Sequence, residues 1–223
     1  MKHLSPEQFI ALDDYADTYP IRIDLAYAHD RPPNIFGKVY HDKAFLWIYK
    51  SLGEVVLRAA RNVYDTHRFY IIVYDSLRTV DAQQKMQDAP ISQAHPQWFE
   101  EPRVLSPPGQ GAHPRGMAVD VALACEDGSL LDMGTVFDHL AEDARPEANP
   151  AHRAYVHLKD EHRANREILN KAMLDAADHV GIPLHLLETE WWDFRLPASY
   201  YGEYAPLSDA DLPPPMRMVN YSE

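Results

Sequence analysis

A chain of 223 residues is long enough for one full domain with a sizeable core and short for two. Hydrophobic residues at 46% and charged residues at 25% are ordinary for a globular protein. A formal net charge of -13, with no basic cluster to interrupt it, argues against nucleic acid as a partner, because phosphate binders concentrate Lys and Arg. The single cysteine, Cys125, rules out an internal disulfide and a sulfur-rich zinc site, and reads as a small buried residue near a strand end.

Asp13, Asp14 and Asp17 break up the N-terminal segment before it reaches the apolar length of a signal peptide. No segment approaches the roughly 20 apolar residues that cross a bilayer. The expectation is a cytoplasmic protein with no membrane partner.

In chain order, Ile21, Ile23 and Leu25 alternate with Arg22 and Asp24 and predict a short strand. Residues 30–38 hold Pro, Asn and Gly and predict a loop. From Lys43 to Thr66, Leu46, Tyr49, Val56 and Ala60 recur at helical steps. Phe69 to Tyr74 is β-branched and aromatic, a buried strand. Thr79 to Ala89 predicts a helix capped by Thr79 or Asp81 and stopped by Pro90. Residues 90–112 predict a long loop, and loops of that length in compact domains are often functional.

Met117 to Ala124 predicts a strand with Asp120 inside it, followed by a turn at Asp127-Gly128. Residues 142–150 are another loop. His157 to Val180 predicts the longest helix, ended by Gly181 and Pro183. Leu184 to Leu187 predicts a short strand that Glu188 to Pro197 continues, and 205–223 an irregular tail. The order defines one α+β domain over 1–223, with a central, mostly antiparallel sheet flanked by helices.

Three segments carry chemistry. His113 follows a Gly-rich loop, and Asp120 sits among Val119, Val121 and Leu123. A carboxylate in such a strand is costly unless it is paired or metal-bound. A turn at Pro114–Gly116 would fold His113 back beside Asp120 and offer one imidazole and one carboxylate to Zn²⁺. The plainer alternative is a salt-bridged Asp120 and an ordinary loop histidine. In the second segment, Glu190 and Asp193 flank Trp191 and Trp192. The tryptophans suit core anchors, and a strand end would let the two acids converge. A glutamate beside a metal can move protons between water and a leaving amine. In the third, Asp75 and Arg78 follow the Phe69–Tyr74 strand, where Arg78 can stabilise an oxyanion or simply pair with Asp75. His152, His157 and His162 recur at steps of five, which is not a one-face spacing, and read as solvent-exposed.

Together these segments resemble the VanX-type D-alanyl-D-alanine dipeptidases, zinc peptidases of the Hedgehog/D,D-peptidase fold. Their HxxGxAxD pattern is met by His113, Gly116, Ala118 and Asp120, and the resemblance runs from about Ile23 to Leu196. It implies His113 and Asp120 as zinc ligands, Glu190 as general base and acid, and Arg78 at the tetrahedral intermediate. It implies Asp138 as the contact for the substrate's free amino group and Tyr27 as an aromatic substrate-site residue.

Two positions depart from the pattern. Gly111 stands where the family has a hydroxyl residue, and Asp193 stands where it has its third ligand, a histidine. Aspartate can ligate zinc, with a shift in preference toward Mn²⁺ or another hard ion. The third ligand is therefore Asp193, or another histidine such as His185, or missing. The expected activity is hydrolysis of D-Ala-D-Ala or a related short dipeptide by metal-activated water. The alternatives are a non-catalytic binder of peptides or cell-wall fragments and a D,D-carboxypeptidase.

Overall fold

The structure, a computed structural model, describes residues 1–101 and 103–220. In chain order it forms β1 (Phe9–Ala11), β2 (Ile21–Ile23), β3 (Trp47–Tyr49), α1 (Lys50–His67), β4 (Tyr70–Asp75), α2 (Val80–Asp88) and α3 (Pro90–Ala94). There follow β5 (Ala118–Ala124), α4 (Asp160–Val180), β6 (His185–Leu186), β7 (Asp193–Arg195) and α5 (Ala198–Tyr201). Five strands make the main sheet in the order β2-β4-β5-β7-β6, and β1 pairs with β3 in a small second sheet. Only the β2–β4 pairing is parallel; the other three in the main sheet are antiparallel. This is the α+β class with the mostly antiparallel sheet that the sequence predicts.

β5 is the central strand, and all seven of its residues are buried. Strand side chains alternate, so Val119, Val121 and Leu123 lie on the face opposite Asp120. α1 buries Leu52, Val55, Val56, Ala59, Ala60 and Val63, the stripe that a helical period of 3.6 places on one side. α4 buries Leu169, Ala172, Met173, Ala176 and Ala177 and packs against α1, with both helices against the main sheet. Gly181 closes α4 in the left-handed conformation, its N–H bonded to the carbonyl of Ala177.

The structure corrects several sequence expectations. The helix expected from Lys43 starts at Lys50, because Trp47–Tyr49 pairs with Phe9–Ala11 instead. The apolar residues of that stretch satisfy a strand period as well as a helical one, and pairing with β1 decides between them. Residues 90–112 hold a short helix and a 3-10 turn at Pro96–Phe99 rather than a featureless loop. The strand expected through residues 184–197 reverses: β6 and β7 form an antiparallel hairpin, with Glu190 in its turn. His152 and His162 are buried, not exposed; only His157 faces solvent. His162 pairs with Asp132 at 3.1 Å, and Nδ1 of His152 accepts the Ala154 N–H.

Candidate active site

The ends of β4, β5 and β7 meet at one edge of a cleft of about 470 Å³. A turn brings His113 there. His113–Arg115 is a single 3-10 turn, closed by Gly116 at φ +60° with its N–H bonded to the His113 carbonyl. That turn is the one expected from Pro114–Gly116. Arg115 secures the preceding loop by donating to the carbonyls of Gly109, Gly111 and Tyr204.

His113 Nδ1 lies 2.8 Å from the backbone carbonyl of Ser76. A carbonyl only accepts, so Nδ1 carries a proton, and Nε2 is the atom that faces the carboxylates: it donates to them while the ring is charged and offers its lone pair to a cation once the ring is neutral. Nε2 is 3.2 Å from Asp193 Oδ2 and 3.6 Å from Asp120 Oδ2. Burial and Arg78 oppose a charge on this imidazole, but Asp120 and Asp193 outweigh them and raise it to about 9.

Asp120 is 1% exposed, and its Oδ1 has no hydrogen-bond partner. A buried carboxylate oxygen without a partner is costly, and a cation would satisfy it. Two donors bonded at about 2.0–2.2 Å to a tetrahedral ion stand roughly 3.3–3.5 Å apart. The His113–Asp193 and His113–Asp120 separations bracket that value. His113 with Asp120, and His113 with Asp193, are thus each spaced for a divalent cation such as zinc, although Asp193 stands outside the cluster whose three donor atoms all lie within 4.8 Å of one another.

Among the described residues, the three that bring one donor atom each within 4.8 Å of one another are Asp75, His113 and Asp120. Both oxygens of Asp75 are already engaged, however. Tyr40 donates to Oδ1 at 2.6 Å, and Arg78 Nε donates to Oδ2 at 2.8 Å, with Nη2 in ion-pair contact at 2.7 Å. Asp75 thus anchors Arg78, confirming the pair considered from the sequence, but as a buried pair rather than a surface one. The same Arg78 Nη2 also reaches Asp120 Oδ2 at 3.2 Å and the Tyr27 hydroxyl at 3.4 Å.

The same cleft is lined by Glu190, Asp138, Trp192 and Arg195. Burial, then the charges of Asp193 and Asp120, push the Glu190 carboxyl up to about 8. Its turn is fixed by the two tryptophans. Trp191 donates Nε1–H to Thr135 at 2.8 Å, and Trp192 sets its ring edge-on to Phe137. Burial pushes Asp138 up to about 7 against the pull of Arg78. His185 lines the cleft rim but is exposed and lies outside the donor cluster.

Some site residues were not singled out from the sequence: Tyr40, Ser76, Ser106, Arg153 and Arg195. Ser106 bears on the missing hydroxyl at position 111. A Cβ built on Gly111 would come within 3.1 Å of Ser106 Oγ, so a serine from another part of the loop fills that space and lines the cleft. Arg153 donates to the carbonyls of Leu187 and Asp193 and to the side chain of Asn170, tying the hairpin base to α4. Only the spatial arrangement reveals these partners, since none lies in a motif with His113.

An imidazole and buried carboxylates grouped around an unsatisfied oxygen, with a proton-holding glutamate and the Arg78 guanidinium in the same cleft, form a hydrolytic site. The comparisons give its family. The chain belongs to the D-ala-D-ala dipeptidase family, whose model matches residues 9–207. It is 30% identical over 192 residues to the D-alanyl-D-alanine dipeptidase of Escherichia coli (strain K12), covering 85% of this chain and 87% of that one. It is also similar to the Serratia marcescens L-Ala D-Glu endopeptidase ChiX, with a TM-score of 0.41 and 18% identity over 69% of this chain and 84% of that one.

Proposed function

We propose that the protein hydrolyses D-alanyl-D-alanine, or a related short dipeptide with a free amino group, in a reaction that depends on a divalent cation. His113, Asp120 and Asp193 would hold the ion, with zinc the first choice and Mn²⁺ a second. When bound, such a cation polarises a carbonyl and lowers the pKa of water. The rest falls to side chains. Glu190 takes a proton from the attacking water and returns it to the leaving amine. Arg78, held by Asp75, donates hydrogen bonds to the developing oxyanion. Asp138, its carboxylate held by the Tyr27 hydroxyl, binds the substrate ammonium and excludes blocked peptides.

The observation that carries this reading is that His113 Nε2 lies within 3.2 and 3.6 Å of two carboxylates in a cleft also lined by Glu190 and Asp138. The family membership and the named relative support the same substrate class. The test is turnover of D-Ala-D-Ala, L-Ala-L-Ala and N-acetyl-D-Ala-D-Ala by stripped protein reconstituted with Zn²⁺ or Mn²⁺. D-Ala-D-Ala hydrolysis is expected only with metal, with the acetylated peptide refused. Glu190→Ala should abolish turnover and keep the metal; full turnover in that variant would overturn the mechanism.

A second reading, a binder of peptides or cell-wall fragments without catalysis, is favoured by one contact: both oxygens of Asp193 are engaged by Arg195. No stoichiometric metal under any supplementation, together with retained dipeptide binding, would select it.

A further inference from the structure

Asp193 has a partner that a histidine in its place would have no reason to keep. Arg195 lies two residues along β7, and strand alternation puts both side chains on the same face. Its Nε donates to Asp193 Oδ1 at 2.6 Å, and its Nη2 donates to Oδ2. Asp193 is fully buried, and the Arg195 side chain is only 13% exposed. A planar guanidinium gripping a carboxylate by two N–H bonds forms charge-assisted bonds, roughly twice as strong as neutral ones, in a fixed geometry. Oδ2, the oxygen closest to His113 Nε2, is one of the two atoms gripped.

Charge states the consequence. Two carboxylates and a neutral imidazole give a ligand set carrying two negative charges. A guanidinium locked to one carboxylate cancels one of them, leaving the charge of a set with a neutral third ligand. We propose that Asp193 and Arg195 act as a unit that stands in for a neutral ligand, and that Arg195 is a positioning residue which holds down the site's affinity for divalent cations. The inference rests on His113, Asp120 and Asp193 being the ligand set. It works in two ways: Arg195 competes with the ion for Oδ2 lone pairs, and it places a like charge beside the ion. A residue that merely orients Asp193 as a ligand would do the opposite and tighten binding. The sign of the effect therefore separates the two roles.

The experiment is calorimetric titration of the metal-stripped full chain with Zn²⁺ alone and Mn²⁺ alone. Wild type is compared with Arg195→Gln, Arg195→Lys, Asp193→His and the double variant Asp193→His/Arg195→Gln. Arg195→Gln is expected to bind Zn²⁺ at least about tenfold more tightly than wild type. Arg195→Lys, which keeps the charge and loses the fork, should show a smaller gain. Unchanged or weaker binding by Arg195→Gln overturns the inference.

Arg195→Gln leaves a buried carboxylate without its partner, so far-UV circular dichroism accompanies each titration. Should that variant not fold, the comparison passes to the Asp193→His background. There Arg195 has lost its partner and only repels the ion, so the double variant is expected to bind Zn²⁺ more tightly than Asp193→His alone; equal affinities overturn the inference. A failure of the ligand assignment looks different. In that case neither wild type nor the double variant, which has two histidines and an aspartate, takes up stoichiometric metal.

Discussion

The hydroxyl of Tyr27 lies 2.8 and 3.0 Å from the two carboxylate oxygens of Asp138, joining opposite halves of the chain. Arg78 donates to the same hydroxyl at 3.4 Å, which leaves the phenol proton to point at Asp138. Asp138 has φ +58°, a left-handed conformation that asparagine tolerates and branched residues do not. Asp138→Asn should therefore preserve the backbone and remove only the charge. Losing a charge-assisted hydrogen bond costs about 1.5–3 kcal/mol. KM for a free-amine dipeptide should rise roughly ten- to a hundredfold, with a smaller change in kcat. Steady-state kinetics on Asp138→Asn and Tyr27→Phe check this, and an unchanged KM in both would remove Asp138 from the substrate site.

Arg78 spans Asp75, Asp120 and Tyr27, and lysine cannot reproduce that geometry with one ammonium. Removing one well-placed oxyanion donor typically lowers kcat about a hundred- to a thousandfold. Arg78→Lys should lose turnover on that scale while still binding metal, as equilibrium dialysis would show. Retained turnover would leave Arg78 with only its ion-pair role.

The carboxyls of the metal-free site make stability depend on pH. Burial, then Asp193 and Asp120, push Glu190 up to about 8, and burial pushes Asp138 up to about 7 against Arg78. A carboxyl with a raised native pKa holds its proton more tightly folded than unfolded. Its contribution is fully present below the unfolded value and is lost as pH rises through the folded one. His113, raised to about 9 by Asp120 and Asp193 against burial, adds a slope of the same sign. Denaturant unfolding in chelator should therefore show stability falling between about pH 5 and 9. Glu190→Gln should flatten that fall and exceed wild type in stability near its upper end. A wild-type slope of the opposite sign would contradict the protonated state of this glutamate.

Gly116 closes the turn that aims His113, at φ +60°. An added Cβ would come within 2.7 Å of the Phe9 ring and 3.2 Å of the Tyr49 backbone nitrogen, which itself donates to the Gly116 carbonyl. The left-handed backbone costs an alanine about 1–2 kcal/mol, and overpacking adds a similar amount. Gly116→Ala should lose roughly 2–4 kcal/mol in urea unfolding. A neutral result would show that β3 can shift away without cost.

What the sequence revealed of this molecule follows from how local each signal is. β4 is legible because a β-branched and aromatic run has one reading when charge bounds it. The Thr79 cap of α2 is legible because a cap is a matter of adjacent residues, and the structure shows Thr79 accepting the Ala82 N–H. β3 was hidden, because Trp47–Tyr49 needs β1, distant in the chain, to become a strand. His113 and Asp120 could be paired from a turn between them, but Tyr40 and Arg153 reach the site through hydrogen bonds across long separations. The Asp193–Arg195 pair was two residues apart and still missed, since its meaning depends on the histidine that Asp193 faces. His152 and His162 looked exposed by their spacing, yet burial was decided by the loops packed on α4.

The ladder between β4 and β5 slips between Val73 and Asp75, so Val73 faces Val121 while Asp75 faces Asp120. Cross-strand partners share a side of the sheet, and a slip of one residue exchanges sides. One surplus amino acid in β4 is thus what delivers an acid rather than the aromatic ring of Tyr74 opposite Asp120, and with it the anchor of Arg78.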